Sequence, residues 1–245
     1  MTDTLPLNNE PSKKTPVKNI ALFSLGSRTF NYYQQQLEQL IQTCKSELSQ
    51  NACTLSVSLI PCDFDSINAL LPDQFEQLKP RLSAELAKIA VHDSKVMVFP
   101  NITLHETIDL LAKNTNNLDK IVHPVTETLR FLQKQKINKI IVFSSLYGMN
   151  ADYLHKHFIK GNIKVSSPSE TDQQFIDYLR QQVYASTETQ EEVEQFNALI
   201  QEYQQNAIVL LACTELSIAN NIHSSRVIDM AEVQMLSAIQ ECSIS

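Results

Sequence analysis

Short apolar runs alternate with amphipathic segments along almost the whole chain, and this alternation constrains the fold more than any other feature. Residues 20–25, 139–144 and 207–212 have the length and apolar composition of buried strands. Between such runs, apolar residues recur at helical spacing, as they do over residues 30–48. Strands that alternate with helices in this way predict an α/β fold with mostly parallel sheets.

A weak internal repeat runs through this pattern. The segment IALFSLG (residues 20–26) resembles IIVFSSLYG (140–148), and VMVFPNITLH (96–105) resembles IVLLACTELS (208–217). Any two strand-to-helix segments share some of these features, but a true repeat predicts two similar lobes. Each lobe would hold a mostly parallel four-stranded sheet flanked by helices.

The repeat also sets the expected lobe boundaries. We place lobe 1 at residues 18–122 and lobe 2 at residues 123–227, and we expect residues 228–245 to pack back on lobe 1. Residues 1–17 are polar and contain three prolines, which predicts a disordered tail. In open α/β sheets ligands bind beyond the carboxyl ends of the strands. The repeat therefore predicts an active site in the cleft between the lobes, with Asn101 and Cys213 at equivalent positions.

Composition excludes several classes of function. Gly26, Gly148 and Gly161 are the only glycines, which is too few for a glycine-rich phosphate loop of the dinucleotide or P-loop type. The net charge of -7 argues against nucleic acid or an anionic membrane as a partner. The chain also contains no apolar run of the roughly 18 residues that a membrane-spanning helix needs.

The cysteine and histidine content points to a reducing compartment without a metal site. Five cysteines, an odd number spread along a long chain, do not form a disulfide framework and are expected to be reduced in the cytoplasm. His155 and His157 form a bare His-x-His pair, which lacks the further ligands of a metal site. We therefore expect no metal and no cofactor.

Several motifs together resemble one enzyme family. The segment LLACTEL (210–216) closely resembles the Gly-Cys-Thr-Glu-Leu motif of the aspartate/glutamate racemases, which work without pyridoxal phosphate. VID (227–229), IALFSLGSRTFNYY (20–33) and PCDFDSI (61–67) resemble further segments of the same family. The resemblance extends from about residue 18 to the end of the chain. It implies a two-lobed fold, a homodimer, and proton transfer at the α-carbon of aspartate, glutamate or a related amino acid.

The main departure from the family concerns one of its two cysteines. The racemases carry a cysteine at the end of one strand in each lobe, and this chain has Asn101 where the first is expected. Thr103 and His105 match the threonine and histidine that follow it. A carboxamide does not exchange protons usefully near neutral pH, whereas racemisation needs a proton donor or acceptor on each face of the α-carbon. Cys213 is therefore expected to be a lone catalytic thiol.

Three interpretations remain open. In the first, Cys213 acts on one face of the substrate, while His105 or a water held by Asn101 and Thr103 acts on the other, which gives one-sided racemisation. In the second, Cys213 protonates a carbanion made by loss of carbon dioxide, as in the one-cysteine arylmalonate decarboxylases. In the third, catalysis is lost and the chain binds an amino acid, another carboxylate or a protein partner.

The residues around these positions complete the predicted site. Cys213 precedes an expected helix, and a helix N-terminus lowers the pKa of a thiol and holds a substrate carboxylate. The family resemblance and the strand-to-helix turns predict these substrate-binding residues: Ser24, Gly26, Ser27, Thr103, Ser144, Thr214 and Glu215. Ser24, Ser27 and Thr29 are equally suited to capping a helix. Arg28 is expected either to pair with an acidic substrate or to be exposed.

Overall fold

Two separate parallel sheets organise the computed structural model, which describes residues 17–47, 54–71, 74–111 and 118–244. We call the part of the molecule built around each sheet a lobe. Residues 1–16 of the predicted tail lie outside the described residues, and Val17 begins the first strand. This architecture confirms the predicted α/β fold with parallel sheets. No helix in the described ranges is both long enough and apolar enough to cross a membrane.

The N-terminal lobe is built on the strand order β2-β1-β3, and all neighbouring strands are parallel. Its elements are β1 (Val17–Ser24), α1 (Ser27–Glu47), β2 (Thr54–Pro61), α2 (Phe64–Asn68), α3 (Phe75–Val91), β3 (Val96–Val98) and α4 (Ile102–Leu111). Buried side chains on both faces of β1, among them Leu22 and Phe23, belong to two apolar clusters that enclose the sheet.

The C-terminal lobe has the parallel strand order β5-β4-β6-β7. After a 3₁₀ turn (Leu118–Lys120) its elements are α5 (Pro124–Lys134), β4 (Lys139–Phe143), α6 (Leu146–Asn150), α7 (Asp152–Lys160), β5 (Lys164–Ser166), α8 (Glu170–Ala185), α9 (Gln190–Tyr203), β6 (Ile208–Leu211), α10 (Thr214–Ala219), β7 (Val227–Asp229) and α11 (Met230–Ile244). The two strand orders correspond, because the first strand of each lobe lies between the second and the third.

The N-terminal sheet differs from the prediction in its number of strands. In the described part of the chain it has three strands and one isolated parallel bridge, between Met97 and Ile121, instead of a fourth strand. Val122 N donates to Met97 O at 2.9 Å, but His123 already caps α5 and Pro124 is its first residue. Proline fixes the backbone in a helical φ range at this position, so the extended segment ends after one bridge.

The last helix, α11, packs against the N-terminal lobe although it follows the final strand of the C-terminal lobe. Ala231, Met235 and Ala238 lie in the apolar cluster that covers one face of β1. Within this contact Gln234 is fully buried, donates through Nε2 to Val122 O at 2.8 Å and accepts from Tyr33 OH at 3.0 Å. Because buried polar groups are costly when unpaired, these bonds fix how the helix sits on the lobe.

Candidate active site

A cavity of about 540 Å³ lies between the carboxyl ends of the two sheets. Its walls come from both lobes and include the residues that directly follow β3, β4 and β6. The lining residues are Leu25, Thr29, Phe64, Asn68, Leu71, Pro100, Asn101, Ile102, Thr103, Ser144, Ser145, Leu146, Tyr147, Asp177, Arg180, Tyr184, Ala212, Cys213, Thr214 and Glu215. This is the location at which parallel α/β sheets bind their ligands.

Asn101 enters the cavity at the start of α4. Its Oδ1 accepts from Leu104 N at 3.0 Å, so the side chain caps the helix. Asparagine is among the preferred residues at this position because its short amide reaches an otherwise unpaired backbone N–H. The side chain thus has a structural role at the position where the family resemblance led us to expect a cysteine.

Cys213 enters the same cavity at the start of α10. It occupies the N-cap position without a capping side-chain bond, and its half-buried thiol donates to Glu215 Oε2 at 2.8 Å. Its backbone oxygen accepts from Leu216 N at 3.1 Å and Ser217 N at 3.2 Å, which starts the helix. The strand end therefore presents a thiol that already has a proton acceptor.

The electrostatic environment of Cys213 differs from the prediction. Burial, followed by the negative charge of Glu215, raises the pKa of the Cys213 thiol well above its ordinary value, and Arg180 opposes this in part. The expectation that a helix N-terminus would lower this pKa is therefore wrong for the unliganded site. The N-terminus of the six-residue α10 stabilises the thiolate less than burial and the adjacent Glu215 carboxylate destabilise it.

Glu215 contacts both lobes. Its Oε2 accepts from Cys213 Sγ, and its Oε1 accepts from Thr29 Oγ1 at 3.3 Å. Thr29 lies in the first turn of α1 and is almost fully buried, with 8% of its surface exposed. One carboxylate thus joins the thiol of the C-terminal lobe to a hydroxyl of the N-terminal lobe.

Arg180, on α8, is the one Lys or Arg among the described residues that line the cavity. Its Nε donates to Asp177 Oδ1 at 2.8 Å, and Asp177 also accepts from Leu146 N at 3.0 Å. Burial lowers the pKa of Arg180, but the hydrogen bond to Asp177 and electrostatic interactions with Cys213, Asp177 and Glu215 outweigh it, so the pKa is raised. Neither Nη atom has a hydrogen-bond partner among the described residues, so both are available to a carboxylate.

His105 does not line the cavity. It is fully buried, its Nε2 lies 3.3 Å from Phe99 O, and its ring packs against those of Phe99 and His123. Burial, with a smaller effect of His123, lowers the pKa of the imidazole well below its ordinary value. The hypothesis that His105 works on the second face of the substrate is therefore not supported, because a substrate cannot reach it.

The predicted substrate-binding residues divide into two groups. Thr103, Ser144, Thr214 and Glu215 line the cavity, whereas Ser24 and Gly26 do not. Gly26 has a φ of +67° and forms the turn between β1 and α1 with the ring of Phe64 against it, so its role is conformational. The side chain of Ser27 lies outside the described residues.

The hydroxyl of Ser144 forms a hydrogen bond within the protein. Ser144 Oγ donates to Ala212 O at 2.9 Å and so ties the ends of β4 and β6 together. Gly148 leaves room for this bond, because a Cβ there would lie 2.3 Å from Ser144 Oγ. Ser144 therefore supports the strand end that carries Cys213, and its donor is not available to a ligand in this arrangement.

Contacts across the cleft hold the lobes together at the mouth of the cavity. Both terminal nitrogens of Arg28 bind the carboxylate of Glu188, and Nη1 also donates to Val183 O at 2.6 Å. Asn68 Nδ2 donates to Tyr184 OH at 3.0 Å. Arg28 is thus neither exposed nor a free substrate ligand.

The sequence interpretation missed the residues that α8 contributes, above all Arg180. One signal was available: Arg180 is the single Lys or Arg in the sequence between Lys164 and Arg226. A lone cation in so long a stretch is a candidate for a specific role. The sequence alone does not show that it faces Cys213, because this depends on how α8 packs.

Metal-binding groups and the other cysteines give no second centre. Within the described ranges no group of three or more His, Cys, Asp or Glu side chains could hold a metal ion. His157 Nε2 lies 3.6 Å from Asp109 Oδ2, in a separate contact between α7 and α4. Cys62 packs against the core of the N-terminal lobe, and burial raises the pKa of its thiol to about 12. Cys53 lies outside the described residues.

Known structures share this architecture at low sequence identity. No protein-family model matches the chain, and no curated protein matches it in sequence. An aspartate racemase homologue from Pyrococcus horikoshii aligns with a TM-score of 0.71 and 19% identity, over 92% of this chain and 99% of the other. A putative Asp/Glu racemase from Yersinia pestis gives 0.74 and 18%, over 92% and 99% of the two chains.

The likeness extends to a further isomerase. Maleate cis-trans isomerase from Nocardia farcinica, in a mutant structure with a covalently bound succinylcysteine intermediate, aligns with a TM-score of 0.51 and 8% identity over 93% of each chain. With the Pyrococcus and Yersinia alignments, this identifies the architecture of the chain as the fold of the aspartate/glutamate racemases.

Proposed function

We propose that the chain is a cofactor-independent isomerase that moves a proton at the α-carbon of an acidic amino acid, aspartate or glutamate, with Cys213 as its single catalytic thiol. One observation carries this proposal. The thiol opens on a cavity lined by both lobes, donates to the carboxylate of Glu215, and shares the cavity with the cation Arg180. A proton donor and acceptor thus lie beside a group suited to binding a carboxylate.

The hydrogen bond between Cys213 and Glu215 provides a route for the proton. The Cys213 thiol passes its proton to the Glu215 carboxylate, and the resulting thiolate removes the proton from the α-carbon. The raised pKa of Cys213 means that the thiol is protonated before substrate binds. An ammonium group on the bound substrate and the cation of Arg180 then favour the thiolate, because a nearby positive charge stabilises it.

The opposite face of the substrate lies towards α4. Asn101 and Thr103 line this side of the cavity and can hold a water molecule by hydrogen bonds. That water donates a proton to the carbanion, and the hydroxide left behind takes the proton that Glu215 received. Because water is a much weaker acid than a thiol, exchange of the α-proton is fast from the enantiomer whose proton faces Cys213 and slow from the other, and racemisation is slow in both directions.

Two structures with this fold support an acidic substrate. One solved relative is described as an aspartate racemase homologue, and another holds succinate covalently on a cysteine. In this chain Arg180 supplies a charge that a second carboxylate can bind, because its fork of donors matches carboxylate geometry. The predicted homodimer and cytoplasmic location stay predictions.

Hydrogen–deuterium exchange at the α-carbon tests the proposed function. The purified protein is incubated with L- and D-aspartate and L- and D-glutamate in heavy water, and loss of the α-proton is followed by NMR. We expect exchange from one enantiomer of an acidic amino acid. Cys213→Ala should reduce its rate by about 10²- to 10⁴-fold, the usual contribution of a positioned acid or base.

A matched variant and an alternative substrate complete this experiment. Cys62→Ala removes a thiol packed against the core of the N-terminal lobe and should leave exchange unchanged. If no amino acid of a broad panel exchanges its α-proton, the isomerase proposal is wrong. Carbon dioxide release from an arylmalonate would then favour a one-cysteine decarboxylase, and binding without turnover would favour an inactive relative.

A further inference from the structure

Two consecutive residues at the start of α1 reach from the N-terminal lobe into the C-terminal lobe. Arg28 binds Glu188 with both terminal nitrogens, and Thr29 donates to Glu215 at 3.3 Å. The side chains of Arg28 and Glu188 are 32% and 17% exposed, so the ion pair is partly shielded from water. Bidentate Arg–carboxylate pairs are the geometrically most specific of protein ion pairs.

The two oxygens of Glu215 have different partners. Oε1 accepts from Thr29 in one lobe, and Oε2 accepts from Cys213 in the other. A carboxylate can turn about its terminal bond, and a donor on Oε1 restricts that rotation. Thr29 therefore determines which oxygen faces the sulfur and how closely.

We propose that Thr29 is a positioning residue for Glu215, itself held in place by the Arg28–Glu188 ion pair, so that contacts between the two lobes hold the Glu215 carboxylate against the Cys213 thiol. The catalytic importance of this positioning of Glu215 rests on the proposed function, but the positioning itself does not. Without the Thr29 hydroxyl, the Glu215 carboxylate loses its donor in the N-terminal lobe and is free to turn away from the sulfur. The thiol then loses the neighbour that favours its protonated form.

The other charged and titratable groups near Cys213 come from α1 and α8. Arg180 of α8 acts on the thiol as a cation, and Tyr33 of α1 lies close enough for its pKa to be raised in part by Cys213. Neither group has a hydrogen bond to Glu215 among the described residues, whereas Arg28 of α1 and Tyr184 of α8 interact with its charge. A change at Thr29 therefore reaches the thiol through Glu215, the one group that contacts both side chains.

Alkylation of Cys213 by iodoacetamide tests the proposal without any turnover. The rate is measured between pH 6 and pH 11, and the peptide that carries Cys213 is quantified by mass spectrometry, which separates it from the other four cysteines. Only the thiolate reacts, so the inflection of the rate reports the protonation of Cys213. Glu215→Gln, which removes the charge itself, gives the largest possible shift to lower pH and serves as the reference.

Thr29→Val keeps the shape of the side chain and removes its hydroxyl. We expect the inflection to move to lower pH by about 0.5 to 1 unit, the scale of one lost charge-assisted contact. Alkylation below the inflection should then be about three- to tenfold faster. Thr29→Ser retains the hydroxyl and should restore the wild-type profile, which a purely structural role of Thr29 would not explain.

Glu188→Gln tests the ion pair separately. It should move the inflection in the same direction by a smaller amount, and the double variant with Thr29→Val should match Thr29→Val alone. If the ion pair acts on Glu215 only through Thr29, the two substitutions give this non-additive result, whereas two independent effects would add. This variant also decides the matter if Thr29→Val fails to fold.

The outcome that overturns the proposal is clear. If Glu215→Gln shifts the inflection while Thr29→Val and Glu188→Gln leave it at the wild-type value, Thr29 does not position the carboxylate. Failure of the proposed function has a different signature. In that case the profiles shift as described, but no amino acid exchanges its α-proton.

Discussion

The ends of β3 and β6 occupy equivalent places in the two lobes but carry side chains with different tasks. Asn101 uses its amide oxygen to cap α4, a helix of ten residues. Cys213 leaves the six-residue α10 without a side-chain cap and directs its thiol to Glu215. One strand end leads into a capped helix and the other presents a thiol bonded to a carboxylate, so two lobes of corresponding strand order line an asymmetric site.

Asn101→Cys should break this asymmetry and produce the largest effect. A second thiol opposite Cys213 supplies the missing proton donor and acceptor, so exchange from the slow enantiomer should rise by about 10²- to 10⁴-fold. The lost cap should lower the free energy of unfolding by about 1 kcal/mol. Racemisation in both directions is measured by chiral chromatography.

Asn101→Ser is the matched control for that variant. Serine also caps helices but supplies no thiol, so it should leave the slow enantiomer slow. If the serine and cysteine variants have equal rates, position 101 does not face the α-carbon.

Arg180→Met tests a charge that only the C-terminal lobe brings to the cavity. Without the guanidinium, Asp177 keeps its hydrogen bonds from Leu146 N and Gln181 Nε2 but loses its cation, and the substrate carboxylate loses the same cation. We expect KM for an acidic amino acid to rise about 10- to 100-fold, the range for one charge-assisted contact at a partly buried site. Steady-state kinetics measure this effect.

Arg130→Met controls for the general loss of one positive charge. Arg130 is an exposed residue of α5 that pairs with Glu127 and does not line the cavity. It should leave KM unchanged. An unchanged KM in Arg180→Met as well would mean that Arg180 only anchors Asp177.

Asp229→Asn tests how a buried carboxyl at the end of β7 affects stability. This strand is the fourth of the C-terminal sheet and has no counterpart in the described part of the N-terminal sheet. Burial raises the pKa of Asp229 to about 6, while Ser217 Oγ and Ala231 N donate to it and oppose the rise. The unfolded value is about 3.9, so this carboxyl stabilises the fold fully below about pH 4, and that contribution is lost as pH rises through about 6. From pH 5 to pH 7 the wild type should lose roughly 1 kcal/mol more free energy of unfolding than the variant.

Urea unfolding at several pH values measures this difference. Asp119→Asn, which removes an exposed carboxylate, should follow the wild type over the same range. If Asp229→Asn and the wild type change in parallel, Asp229 is ionised in the folded protein throughout this range.

The fold could be predicted from the sequence because its signals are local. Apolar runs of strand length and helical periodicity depend on neighbouring residues alone, and they indicated the parallel sheets and the strand ends at Asn101 and Cys213. The N-terminal sheet was the exception. In that sheet α5 begins at Pro124, directly after the segment expected to be a strand, and only a single bridge at Ile121 forms.

The candidate site was predictable only where it follows directly from strand ends. His105 matched a family position, but its burial depends on the rings of Phe99 and His123, which no local pattern encodes. Arg180 faces the cavity because of how α8 packs on the lobe. The protonation of Cys213 depends on a balance between desolvation, Glu215 and Arg180, and this balance exists only in the folded chain.

The packing of α11 delays the completion of the N-terminal lobe during synthesis. The N-terminal lobe leaves the ribosome first, but Ile20 and Leu22 pack against Ala231 and Met235, which are made last. Domains made early ordinarily fold early. Here α1 covers part of this face early, but the part that α11 covers stays exposed until the last residues emerge. A chain that ends before residue 230 therefore exposes apolar surface of the first sheet, a natural target for chaperones and proteases.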